Sequence, residues 1–188
     1  MSMHVDATIG FGVNLGQARP PSLDDFEDME EETSIQFWDL IKANLDLEDE
    51  VEKYKNLEHQ VYMEVAQKHR HSDGDTDYST IRSEIEEWKE NTDEGQKYQE
   101  TVGLVDSFFD SLKVVNYGDH PYHLSAAVLW KPADTVSAGH RGLLFDETDL
   151  NVNGGLDEIN EAFDRFWEAL DWQPPTDELG WILMPTYY

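Results

Sequence analysis

Between Asp24 and Glu52 the chain sets thirteen carboxylates against a single base, Lys42. Seven of them fall in SLDDFEDMEEET, Ser22 to Thr33, which holds no base at all. Like charges this dense repel one another and oppose packing of the segment on itself. The stretch from 22 to 52 is therefore expected on the surface, as a helical excursion from whatever core the rest of the chain builds. No requirement of folding places these acids together, so their clustering points to a use. Over all 188 residues, 41 acids and 13 bases give a formal charge of −28. Such a charge repels nucleic acid and anionic membranes and attracts basic surfaces, so neither direct nucleic-acid binding nor membrane binding is expected.

A core is nevertheless available, because 39% of the residues are hydrophobic and 12% aromatic, six of them Trp. The length suits one domain spanning 1–188. No cysteine is present, which excludes disulfides, thiolate catalysis and cysteine-ligated zinc. No run approaches the ~18 apolar residues of a membrane helix. The opening MSMHVDATIG has neither the basic nor the apolar region of a signal peptide. A cytoplasmic protein is expected. Salt adaptation is the plain alternative for the charge, but the acids are clumped and Lys outnumbers Arg eight to five.

HVDATIGFGVNLG alternates strictly, with Val5, Ala7, Ile9, Phe11 and Val13 on one face and His4, Asp6, Thr8 and two glycines on the other. This predicts a strand packed on one side. The prolines of QARPPS end it. Thr33 or Ser34 can cap a helix whose inner positions are Ile35, Trp38, Ile41 and Leu45. HQVYMEVAQKH alternates through Val61, Met63 and Val65, which predicts a second strand, with helical continuation as the other reading. A helix from Asp77 or Ser79 buries Ile81, Ile85 and Trp88, and the next carries Tyr98, Val102, Val105, Phe108, Phe109 and Leu112. KVVNYGDHPYHLSAAVLW reads as a hairpin about YGDHP. RGLLFDET is a short apolar run of undecided state. LDEINEAFDRFWEAL is a helix with Leu156, Ile159, Phe163, Phe166, Trp167 and Leu170 inside, and GWILMPTYY is a closing strand. Strands at the ends and helices between them predict an α+β fold with a mainly antiparallel sheet and amphipathic helices packed on it.

Chemistry is sparse. DLNVNGGLDEIN, Asp149 to Asn160, resembles the calcium loop of EF-hand proteins over twelve residues: Asp149, Asn151 and Asn153 stand at ligand positions, Gly154 at the sharp turn and Leu156 at the apolar position. Asn160 replaces the bidentate acid at the last position. Asp149, Asn151, Asn153 and Asp157 are the candidate calcium ligands, and an NGG turn before a helix is the alternative. DGDTDYSTIRSE, Asp73 to Glu84, has acids at the right spacing but Tyr78 at the glycine position, so a turn with an aspartate cap is the better reading. His69 and His71 would share a face in a strand, but Lys68 and Arg70 beside them favour a polar turn. Nucleophile elbows and phosphate loops are absent, and no carboxylate pair stands out. A non-enzymatic protein without a cofactor is expected, with calcium as the one exception to test.

On the last helix Asp157, Glu161, Asp164 and Glu168 recur opposite the apolar stripe, as a ridge with neighbours ~5 to 6 Å apart. Phosphates along a nucleic-acid strand are spaced on a comparable scale. A rigid helix can thus present carboxylates as a backbone presents phosphates, and a lysine- and arginine-lined groove would accept it. The candidate contact residues are Asp24, Asp25, Glu27, Asp28, Glu30, Glu31, Glu32, Asp46, Glu48, Asp49 and Glu50, together with the ridge. Tyr54, Tyr62 and Tyr117 are candidate aromatic anchors, with half-buried packing as the better reading of each. The opening strand with Gly10-Phe11-Gly12 and the closing Gly180-Trp181-Ile182-Leu183 running to Tyr187-Tyr188 resemble the ends of small accessory proteins of tailed phages. That resemblance implies an inhibitor of host restriction or CRISPR machinery, acting in the host cytoplasm on a basic nucleic-acid-binding protein.

Overall fold

The computed structural model describes residues 5–21, 33–69, 77–119, 123–131, 133, 136–138 and 152–187. The alternating run at the amino terminus forms β1 (Val5–Gly16) and the closing run forms β5 (Leu179–Tyr187), paired antiparallel from Val5↔Tyr187 to Val13↔Leu179. The expected hairpin is β2 (Leu112–Asp119) paired antiparallel with β3 (His123–Trp130), from Leu112↔Trp130 to Asp119↔His123; Tyr117, Gly118 and Asp119 of the expected turn belong to β2, and His120 and Pro121 lie outside the described residues. On its other edge β1 pairs with β3 through Gly12 to Gly16, and with the short β4 (Val136–Ala138) through Ala7 to Ile9. At Gly118 and Asp119, β2 meets Thr186 and Tyr187 of β5 in parallel. The order is β3-β2-β5-β1-β4, and the added β3–β1 pairing carries the hydrogen-bonded circuit from β1 through β3, β2 and β5 back to β1. The sheet therefore curls towards a small barrel, which leaves few unpaired edges. The fold is α+β and its sheet is mainly antiparallel.

Curling gives the sheet an inside. Ala127, Leu129, Ile182 and Met184 are buried there, with Val115 and Tyr117 packed against them. The other face buries Val13, Val114, Ala126, Val128 and Trp130. This corrects the expectation that β1 packs on one side. Gly10 and Gly12, on its supposed solvent face, are both buried. A Cβ on Gly12 would lie 2.0 Å from the Val128 carbonyl oxygen, and one on Gly10 would lie 2.7 Å from Leu129 Cδ1. The glycines are there because β3 comes too close for a side chain.

By density of contacts the chain forms two compact units. One, Met1–Asn44 with Phe108–Tyr188, holds the sheet, α1 (Thr33–Asn44) and α5 (Leu156–Ala169). The other, Leu45–Ser107, holds α2 (Glu48–Lys68), α3 (Tyr78–Asn91) and α4 (Asp93–Ser107). In the first unit Thr33 Oγ1 donates to Asn116 Oδ1 at 2.6 Å, and Asn44 Nδ2 donates to the Ala169 carbonyl at 3.0 Å, which ties α1 to β2 and α5. The buried positions of α1 are Thr33, Phe37 and Ile41. Ile35, expected inside, is exposed, because Phe37 is drawn into the aromatic cluster beneath α5 and turns the helix with it.

In the second unit the expected strand at Val61 to Val65 is instead the middle of α2. Five alternating residues are too few to distinguish a strand from a helix. Here Val61 and Val65 lie partly buried, one turn apart, on the stripe that begins at Val51 and Tyr54, while Tyr62 and Met63 are exposed. Helix α3 starts where Asp77 caps it, accepting from Thr80 N–H at 3.1 Å, Thr80 Oγ1 at 2.6 Å and Ser79 Oγ at 2.7 Å. Thr92 joins α3 to α4: its hydroxyl donates to the Trp88 carbonyl at 2.9 Å and accepts from Gly95 N–H at 3.0 Å.

The three hydrogen bonds to Asp77 hold its carboxyl well below the usual aspartate range. A depressed folded-state pKa means that the cap's contribution is complete above the ordinary value of ~3.9 and is lost as the pH falls through it towards the lowered one. Asp77→Ala is expected to lower the thermal midpoint by about 2 to 5 °C at neutral pH. Asp77→Asn keeps the cap but flattens the acid limb of the stability profile. Calorimetry between pH 2 and neutrality checks both, on the order of a few scans per variant.

Candidate functional site

Among the described helices α5 has the most sharply divided faces. Ile159, Phe163, Phe166, Trp167 and Ala169 are buried. Phe166 stands at the centre of an aromatic cluster, 5.1 Å from Trp167, 5.4 Å from Phe109 and 6.0 Å from Phe37 between ring centroids. Leu156, expected on the inner stripe, is exposed: it opens the helix, ahead of the first turn that packs. Asp157, Glu161, Asp164 and Glu168 all lie on the exposed face. None of the four forms an ion pair with a described residue, and Arg165, the one base of the helix, rests over the Phe108 ring at 5.5 Å. Among the described residues the ridge is thus a row of carboxylates without ion-pair partners, on a helix pinned from behind by five buried side chains.

A second acidic group stands at the start of α2. Glu48, Asp49 and Glu50 occupy the first turn, and Asp46 precedes it at φ +55°. All four are exposed. Leu47, at the cap, supplies no side-chain acceptor, so the acids also serve the helix by facing the positive end of its dipole. The α5 ridge belongs to the first compact unit and this group to the second. Asp24, Asp25, Glu27, Asp28, Glu30, Glu31 and Glu32 lie outside the described residues.

The calcium-like loop is described only from 152 onward, so Asp149 and Asn151 lie outside the described residues. Asn153 is exposed, and its carbonyl oxygen accepts from Trp130 Nε1 at 2.6 Å. Gly154 turns the chain at φ +122°, Gly155 is the extended cap, and α5 is already helical at Leu156. Asp157 therefore projects from a helical first turn. Among the described residues no three His, Asp or Glu side chains are arranged to hold a metal. In the other acidic loop Asp73 and Asp75 lie outside the described residues. Glu84 is engaged by Lys68 at 2.9 Å and by His69 Nε2 at 2.6 Å, which hold its carboxyl below the usual range. His71 lies outside the described residues.

Of the three candidate aromatic anchors, Tyr54 takes the packing reading: it is 8% exposed and belongs to the buried core of the second unit. Tyr117 packs inside the curled sheet and donates its hydroxyl to Asn14 Oδ1 at 2.6 Å. Tyr62 remains on the surface. The three helices of the second unit share a polar knot. Lys89 Nζ lies 2.8 Å from Glu58 and 4.8 Å from the Tyr98 ring, and the Tyr98 phenol is pushed up by burial and by Glu58.

At the carboxyl end of α5 the structure brings together residues that sequence reasoning left apart. Trp172 N–H donates to the Trp167 carbonyl at 3.2 Å, and Asp171 N–H donates to that of Glu168 at 3.0 Å. Asp171 stands at φ +47°. These are the two hydrogen bonds of a left-handed helix terminator whose turning residue is usually glycine. The turn seats Trp172 against Trp167, 6.0 Å between rings, and opens a shallow depression of about 450 Å³ lined by Asp164, Trp167, Glu168, Asp171, Trp172 and Gln173. The local signal was the LDWQPP stretch, in which an acid and a tryptophan fall between the helix and two prolines. No family model, curated protein or solved structure matches this chain.

Proposed function

We propose that this protein acts by binding, as an acidic stand-in for nucleic acid that occupies the basic groove of a nucleic-acid-binding host protein. The observation that carries the reading is the α5 ridge, four exposed carboxylates at helical spacing on a helix fixed by an aromatic core. A fixed array gives a basic groove regularly spaced acceptors without the entropy loss of ordering a flexible tail. The net charge of −28 adds long-range steering towards a cationic partner, and affinity falls as salt screens it. The resemblance of both chain ends to phage accessory proteins directs the partner to host defence, a restriction or CRISPR component in the host cytoplasm. No cofactor takes part. Among the described residues no helix is long and apolar enough to cross a membrane.

The test is capture of partners from bacterial lysate at low and high salt, with a duplex oligonucleotide as competitor. A basic nucleic-acid-binding protein should be retained at low salt and displaced by the oligonucleotide. Reversing Asp157, Glu161, Asp164 and Glu168 to Lys should weaken that capture on the order of a hundredfold or more while circular dichroism stays unchanged. Capture that ignores both the reversal and the oligonucleotide overturns the proposal.

A further inference from the structure

We infer that the open edge of β5 pairs with the same edge of a second copy of this chain, antiparallel and two-fold about Ile182. On one edge β5 is paired with β1 along its whole length. Among the described residues its other edge is paired only at Thr186 and Tyr187, where β2 meets it. Pro185 fixes what the open part presents. It has no N–H to give to Ala7, so the Pro185–Ala7 pair is a non-hydrogen-bonded one, and alternation sets the rest of the ladder. Gly180, Ile182 and Met184 exchange bonds with β1, while Leu179, Trp181 and Leu183 turn N–H and C=O to the open side. Such a row of donors and acceptors is satisfied by another extended strand.

The side chains and the charge select a second copy. Ile182 and Met184 are buried inside the curl, whereas Trp181 and Leu183, on the other face, are 37% and 58% exposed. Phe11 holds the Trp181 ring edge-on at 5.4 Å. Pairing β5 with itself about Ile182 sets Trp181 opposite Leu183 of the second copy, twice over, so the exposed apolar side chains cover one another. Leu179 to Pro185 carry no charge, so a basic segment of another protein would meet no carboxylate there. The nearest acids in the chain are Asp177 and Glu178. In this register Glu178 falls opposite position 186 of the other copy, roughly 27 Å from that copy's own Glu178 at ~3.3 Å per residue. That is well beyond the ~8 Å screening length of physiological salt, whereas a parallel register would set the acids side by side. At the far end β2 takes the edge from Thr186 on, so the pairing cannot lengthen and closes as a dimer.

The net charge of −28 on each copy opposes association, so salt should favour the dimer, the opposite sign to capture of a basic partner. Sedimentation equilibrium of the full chain tests this, with a dissociation constant expected to fall on the order of tenfold from low to high salt. Leu183→Pro removes a donor from the open edge without taking a bond from the β1 ladder, and Leu183→Glu places a charge at an exposed position on it. With circular dichroism unchanged, each should raise the dissociation constant on the order of tenfold or more. If Leu183→Pro does not fold, Leu183→Glu decides. Because the chain has no cysteine, Glu178→Cys accepts a single spin label, and the distance between labels in the dimer should be roughly 27 Å. A monomer at every salt, a dimer that keeps its affinity in Leu183→Glu, or labels lying side by side overturns the inference. None of these outcomes touches the ridge reading, which is decided by partner capture.

Discussion

Gly12→Ala is expected to destabilise the protein by about 3 kcal/mol, near the upper end for adding one methyl to a packed interior. The added carbon would lie 2.0 Å from the Val128 carbonyl oxygen and 2.8 Å from Leu129 Cα. Both are backbone atoms, so no rotamer change relieves the overlap, and β1 and β3 must separate where Gly12 pairs with Leu129. That pairing is one link of the circuit that curls the sheet, so the damage spreads to β2 and β5. Gly10→Ala is the internal control. Its added carbon meets the tip of the Leu129 side chain at 2.7 Å, and a tip can move. It should cost about 1 kcal/mol. Urea unfolding of the two variants decides: equal losses, or a loss below about 1 kcal/mol for Gly12→Ala, mean that β3 does not approach β1 as described.

Phe166→Ala should cost about 3 to 5 kcal/mol, the range for deleting a fully buried aromatic ring that its neighbours cannot replace. Phe166 is 0% exposed and its ring meets Phe37, Phe109 and Trp167, so α1, α5 and the entry to β2 all lose a partner at once. The consequence for binding is as informative as that for stability. If the ridge works because α5 is stiff, a variant that keeps the native far-ultraviolet spectrum but loosens α5 should bind its partner more weakly even though every carboxylate is present. Unchanged binding alongside a measurable loss of stability would mean that charge alone, not its placement, carries recognition.

Much of the fold is legible locally. The β2–β3 hairpin, the cap at Asp77, the strands at the two ends and the inner stripe of α5 from Ile159 to Leu170 are each signalled by the residue pattern of one short segment, although the end strands find their partner in each other, Val5 opposite Tyr187. Alternation at Val61 to Val65 misleads because it is short, and Val51 and Tyr54 before it settle the matter by making one long helix stripe. Ile35 misleads because either of two faces of α1 could have been the inner one. The choice fell to Phe37, which has aromatic partners at Phe166 and Trp172. The ridge is legible as spacing, but the depression beside it is not. It needs a helix terminator that folds Trp172 back onto Trp167, and Asp171 is not the residue that announces such a turn.

Sequence alone determined the charge, most of the periodicities, the cap at Asp77 and the placement of four acids on one side of α5, because repulsion, side-chain spacing and capping act over a turn of helix or a few residues of strand. Tertiary structure decided that β1 is buried on both faces, that β2 and β5 meet in parallel and bring the pairing back to β1, and that α5 ends in an acid-rimmed tryptophan wall. Those outcomes depend on which backbone edges remain unpaired and which apolar faces remain uncovered once the rest of the chain is in place, a condition no local segment carries.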